Sequence, residues 1–137
     1  MKPFQSQIRL HKFNVDEAQR RLAELLRLEE RLREDLVRLE QELAAEQKAA
    51  ESLEASVTYA AFAERVIERR NKLNHSIAEV AEQIVQARDG LRDAFAELKK
   101  FELAAEAAEE RLKKRREQRE QAQQDDVALN IFRRKPE

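Results

Sequence analysis

Apolar residues recur along this chain at alternating spacings of three and four. In the first half the repeating positions hold Phe4, Ile8, Val15, Ala18, Leu22, Leu25, Leu32, Leu36, Leu39, Leu43, Ala50, Leu53 and Val57. In the second half they hold Ala63, Val66, Leu73, Ile77, Val80, Ile84, Ala87, Leu91, Ala94, Leu98, Phe101, Ala105, Ala108 and Leu112. A seven-residue repeat sustained this long is the pattern of helices that wind around a partner. The repeat slips by one residue between Leu53 and Ala63, so a straight seam would rotate away from its partner there. The slip falls in the uncharged stretch from Ala55 to Ala63, which holds the β-branched pair Val57 and Thr58 and two candidate N-caps, Ser56 and Thr58. The chain is therefore predicted to reverse at this point, although neither glycine nor proline marks the turn.

The predicted fold is all-α, a long antiparallel two-helix coiled-coil hairpin with a C-terminal helical overhang. It forms a single unit over 1–137, with helix 1 at about 4–55, a turn at about 55–60, helix 2 at about 61–124 and a tail at 125–137. Folding the halves together sets Leu39 against Ile77, Leu43 against Leu73, Leu36 against Val80, Leu32 against Ile84 and Leu25 against Leu91. Small residues then meet large ones, Leu22 with Ala94 and Ala18 with Leu98. The acidic interruption Glu46 faces the basic interruption Arg70, whereas a slide by one heptad buries each charge against an aliphatic residue. Beyond Leu112 the second helix has no partner. Residues 113–137 are predicted to project, helical at least through Gln124. Asp125 and Asp126 could cap a further turn that carries Val127, Leu129, Ile131 and Phe132, and this cluster either frays or folds against a partner.

Composition narrows the class. A chain that is 40% charged, with one Gly and two Pro and a mean hydropathy of −0.82, is too polar for a thick globular core and suits a coiled coil. Cysteine is absent, which removes disulfide and thiol chemistry. No apolar run approaches the roughly 20 residues needed to cross a bilayer, and the opening residues show no signal-peptide core. A soluble, cytoplasmic protein is expected.

Catalysis is not expected. Two separated histidines without cysteine make a transition-metal site improbable, and no cofactor is implied. His11 falls in the seam opposite Ala105, and His75 on an outer face. Acidic pairs such as Glu29–Glu30 and Glu109–Glu110 lie on solvated helix faces with no cleft around them. Gly90 stands alone, so no glycine-rich loop cradles a phosphate. Inside the second helix it marks either a bend or a close contact.

Charge is unevenly placed. The net charge is −1, yet the first thirteen residues hold Lys2, Arg9 and Lys12 without an acid. Arg111-Leu-Lys-Lys-Arg-Arg-Glu-Gln-Arg119 is strongly basic, and Arg133-Arg-Lys135 adds more. In the predicted hairpin Phe4 meets Leu112, so this charge collects at the end that bears the termini. Such an end would dock on an acidic surface; it equally reads as a solvated helix end.

The closing run Asp125-Asp-Val-Ala-Leu-Asn-Ile-Phe-Arg-Arg-Lys-Pro-Glu137 resembles the C-terminal signature of the flagellar export chaperone FliJ family. Val15-Asp-Glu-Ala-Gln-Arg-Arg-Leu22 is similar to that family's first-helix segment, and Tyr59-x-x-Phe62 to its second-helix start. The resemblance implies a soluble component of the flagellar type III export apparatus, with a coiled coil like that of the rotary-ATPase γ subunit. It implies three partners: the hexameric export ATPase, the cytoplasmic domain of the membrane export gate, and other export chaperones. Membrane association would be peripheral, through these partners. On this resemblance the ATPase-facing residues are Phe4, Arg9, Lys12, Arg111, Lys113, Lys114, Arg115, Arg116, Arg119, Phe132 and Arg133. The gate-facing residues are Leu39, Phe62 and Val66. The aromatic residues that some relatives carry on the first helix correspond here to Glu42 and Glu46, and the repeat itself puts Leu39 and Val66 in the seam.

Three other readings stay open at this level: an injectisome stalk homologue, a structural homo-oligomeric coiled coil, and a nucleic-acid binder working through Arg111–Arg119. Against the last stand acidic helix faces, a net charge near zero and a basic run without interleaved aromatics.

Overall fold

The computed structural model describes residues 2–51 and 56–134. Two helices account for nearly all of them: α1 (Gln5–Ala49) and α2 (Ser56–Arg134). No strand occurs among the described residues. The all-α helical hairpin expected from the repeat is what the chain forms. Leu53 and Lys135 lie outside the described residues, as do the side chains of Ser56 and Val57, and the seam positions and the cap read there fall outside them too.

The helix ends differ from the sequence reading. α1 stops at Ala49, where Ala50 N donates to Glu46 O at 2.9 Å and closes the last turn. α2 is already helical at Ser56, so Thr58 lies inside the helix and is not its cap. The uncharged stretch that suggested a turn is rich in Ala60, Ala61 and Ala63, and alanine is the best helix former. With no Gly or Pro to stop it, this stretch joins α2. At the other end α2 continues without a break to Arg134 and includes the residues expected to form a separate tail.

The contacts of the chain divide into two compact units. One joins the start of α1, through Val15, to α2 from Ala94 onward; the other is Asp16–Asp93. In the Asp16–Asp93 unit, Leu25, Val80 and Ile84 form a buried cluster, with Leu22, Leu28, Leu32 and Ala87 packed against it. Further toward the end of α1, Arg70 grips Glu40: Nη2 donates to Oε2 at 2.9 Å, and Nε faces Oε1 at 2.6 Å. The Nε approach is too bent to count as a hydrogen bond, so this contact is Coulombic. As residue numbers rise on α1 from 25 to 40, their partners on α2 fall from the 80s to 70. The two stretches are antiparallel.

This register corrects the pairing read from the sequence. Leu25 packs with Val80 and Ile84 instead of opposing Leu91. Arg70 pairs with Glu40, not Glu46, which is exposed. The cause is the position of the reversal: with α2 starting at Ser56, each α2 residue meets an α1 residue nearer the N-terminus. The charged interruption did not dictate register, because Arg70 found a second carboxylate at the rim of the seam.

Gly90 meets open space: a Cβ built on it has no neighbour within 4 Å. Of the two roles the sequence left open, a close contact is ruled out.

Candidate functional site

The eleven residues read as one docking face all lie in the unit that joins the start of α1 to α2 beyond Ala94. Its packing is aromatic. Phe101 on α2 stacks with His11, ring centroids 4.8 Å apart and planes 14° apart, and lies 6.0 Å from the Phe4 ring at a tilt of 52°. Lys100 Nζ sits 5.7 Å from the Phe101 centroid, within cation–π range. Val15 and Leu98 are buried in the same unit. The seam partner of Phe4 and His11 is thus Phe101, where the sequence register had placed Leu112 and Ala105. The cause is the same early reversal.

Phe4 is the one described non-glycine residue with a left-handed backbone, φ 59°. It ends the turn Pro3–Phe4, and its carbonyl accepts from Ile8 N at 2.9 Å to start α1. That conformation costs a phenylalanine about 1–2 kcal/mol, which the contact with Phe101 helps to offset. The result brings the first residues back onto α2: Lys2 and Pro3 line a shallow concavity with Leu112, Lys113, Arg116 and three glutamates, Glu109, Glu117 and Glu120.

From Arg111 to Arg134 every residue of α2 is exposed. Lys113, Lys114, Arg115, Arg116 and Arg119 are presented on this extension, and Val127, Leu129, Ile131 and Phe132 are each more than half exposed. Arg111 Nε donates to Ala107 O at 3.3 Å, an ordinary back-bond along the helix. Gln121 Nε2 donates to Asp125 Oδ1 at 3.1 Å, which carries the helix over the aspartate pair expected to cap a new turn. Arg9 and Lys12 are exposed on α1 in the same unit.

The three gate-facing candidates are all in the Asp16–Asp93 unit, in a different condition. Leu39 and Val66 are 3% and 4% exposed and hold the helices together. Phe62 is partly exposed. Off-seam apolar residues that the repeat passed over are more accessible: Leu10 and Phe13 in the aromatic unit, at i and i+3 beside Arg9 and Lys12, are both more than half exposed. Their only sequence signal was being apolar outside the repeat.

Among the described residues no group of acidic or histidine side chains has the arrangement of a metal site. Nor, among the described residues, is any helix long and apolar enough to cross a membrane. The surfaces presented by the described residues are helix faces carrying basic, acidic and apolar side chains.

A family model described as "Flagellar FliJ protein" matches residues 1–137, the whole chain. The chain belongs to the flagellar FliJ family. The FliJ family is a non-catalytic component of flagellar export, so membership gives this chain a role connected with flagellar export and association with that apparatus. Neither curated proteins nor solved structures yielded a significant match. The resemblance carried by three short segments thus extends over residues 1–137.

Proposed function

We propose that the chain is a non-enzymatic adaptor of the flagellar export apparatus that docks its basic α2 extension into the hexameric export ATPase. The observation that carries the reading is the exposed run Lys113, Lys114, Arg115, Arg116 and Arg119 on a helix with no α1 partner, followed by exposed Val127, Leu129, Ile131 and Phe132. Positive charge would accelerate the encounter with an acidic surface on the ring, and the apolar residues would hold it once water is excluded. Phe4, Arg9, Lys12, Arg111 and Arg133 belong to the same unit and extend the face. Docking promotes ring assembly or coupled turnover, and the chain hydrolyses nothing itself. Its place is the cytoplasm, peripheral at the export apparatus.

Contacts with the export gate and with other export chaperones would fall to the Asp16–Asp93 unit. Burial of Leu39 and Val66 leaves Phe62 as the accessible member of that proposed set. The test is binding of the whole chain to the export ATPase at several salt concentrations. Replacing Arg115, Arg116 and Arg119 by Glu is expected to weaken binding on the order of tenfold or more at low salt and to flatten its salt dependence. Unchanged affinity would remove the electrostatic basis of the proposal.

A further inference from the structure

The three-four spacing of the α2 seam does not stop where α1 ends. After Leu98, Phe101, Ala105 and Ala108 it continues through Leu112, Arg115, Arg119, Ala122, Asp126, Leu129 and Arg133. In the structure these residues stay on one unbroken helix, and all seven are exposed. Leu112 borders the concavity that Lys2 and Pro3 also line; from Arg115 onward the seam spacing continues on exposed residues without a partner helix, and the charges of the face indicate what completes it.

We infer that this face pairs with the same face of a second copy, antiparallel, into a weak homodimer centred between Glu120 and Gln121. In that pairing Leu112 of each copy meets Leu129 of the other, Arg115 meets Asp126, and Arg119 meets Ala122. Arg115 and Arg119 lie in the first half of the face and Asp126 in the second, so head-to-tail reversal sets Arg115 against Asp126 twice, once on each side of the symmetry axis, while Arg119 meets Ala122 and Arg133 meets Ala108. A parallel pair in register would instead oppose Arg115 to Arg115, Arg119 to Arg119 and Asp126 to Asp126, and like charges in a seam reject that arrangement. Sliding the antiparallel pair by one heptad in one direction opposes Arg115 to Arg119, and in the other Arg115 to Arg133. Only the register centred at 120–121 gives Arg115 an acid. Among the described residues neither Arg115 nor Asp126 makes an ion pair within the chain, so both side chains are free to pair across copies.

Two leucine layers flanking charged and alanine layers cannot make a tight dimer; association is concentration-dependent and weakened by salt. Val127 and Ile131 fall on the outer side and stay uncovered. The inference does not depend on the ATPase reading. If both hold, the dimer occludes part of the docking face, and free chain and ring-bound chain exclude one another.

Sedimentation of the full-length chain over a range of concentrations tests it, with helicity followed by circular dichroism. The mass is expected to rise from one chain toward two. Arg115→Asp and Asp126→Arg should each weaken dimerisation roughly tenfold or more, because each leaves like charges facing in the seam. The double variant carrying both should restore it. Since the chain has no cysteine, a mixture of Leu112→Cys and Leu129→Cys chains is expected to oxidise to the mixed 112–129 disulfide. A mass of one chain at every concentration would overturn the inference. So would a helical double variant that stays monomeric, or a predominance of 129–129 disulfides.

Discussion

Leu25 shows how little each residue of this chain has to hold on to. It is among the most buried side chains, 3% exposed, yet its cluster contains only two other buried residues, Val80 and Ile84. A two-helix seam covers each leucine from one side with a single partner helix. Leu25→Ala is therefore expected to cost about 2–3 kcal/mol, at the low end of the range for buried leucines because the site is thin and can collapse; urea unfolding followed by circular dichroism would measure it. Gly90 is the opposite case. A methyl group added there would meet nothing within 4 Å, so Gly90→Ala should raise stability by up to about 1 kcal/mol through helix propensity alone, read as a higher urea midpoint at unchanged slope. A loss of stability would show that the backbone at 90 departs from a regular helix. Phe4 marks a third kind of residue, held in a left-handed conformation while its ring contacts Phe101. Phe101→Ala is expected to release both Phe4 and His11, seen as faster amide exchange over the first turns of α1 with the Leu25 cluster still protected.

For the helices as elements, the repeat made the fold class readable, because a sustained three-four pattern on both sides of a slip admits few arrangements other than two antiparallel helices. Their ends and register were not readable. The slip and the uncharged stretch at 55–63 are real features of the sequence, but alanines without Gly or Pro continue a helix as readily as they end one, and the reversal came before Ser56. Each pairing then moved along α1, which is why Arg70 meets Glu40 and His11 meets Phe101. A double-mutant cycle separates the two registers: Arg70→Ala with Glu40→Ala should show a coupling below about 1 kcal/mol, as befits a half-exposed pair, and Arg70→Ala with Glu46→Ala none. Coupling to Glu46 in place of Glu40 would restore the register read from the sequence. The aspartate pair at 125–126 misled for a similar reason. Asp in the middle of a run looks like a cap, but Gln121 ties Asp125 into the preceding turn and the helix carries on.

On the scale of the whole molecule, the residues named from the family resemblance as one face do share one unit, and those named as the other share the second. The basic run from Lys113 to Arg119 was legible in the sequence as a charge pattern. Leu10 and Phe13 were not, since a lone apolar residue off the repeat carries no period to recognise. The buried state of Leu39 and Val66 was implied by their own seam positions, and the structure bears that out. The packing is thin, and a basic run lies on the exposed part of α2, the surface on which the proposed binding rests. Membership of the FliJ family connects that binding with flagellar export.

The most direct test of that account is ATP turnover by the flagellar export ATPase, measured with no addition, with this chain, and with the chain carrying Arg115→Glu, Arg116→Glu and Arg119→Glu. The account predicts that the native chain stimulates turnover and that the charge-reversed chain, equally helical, does not. Equal stimulation by both, or none by either at concentrations that saturate binding, would contradict it.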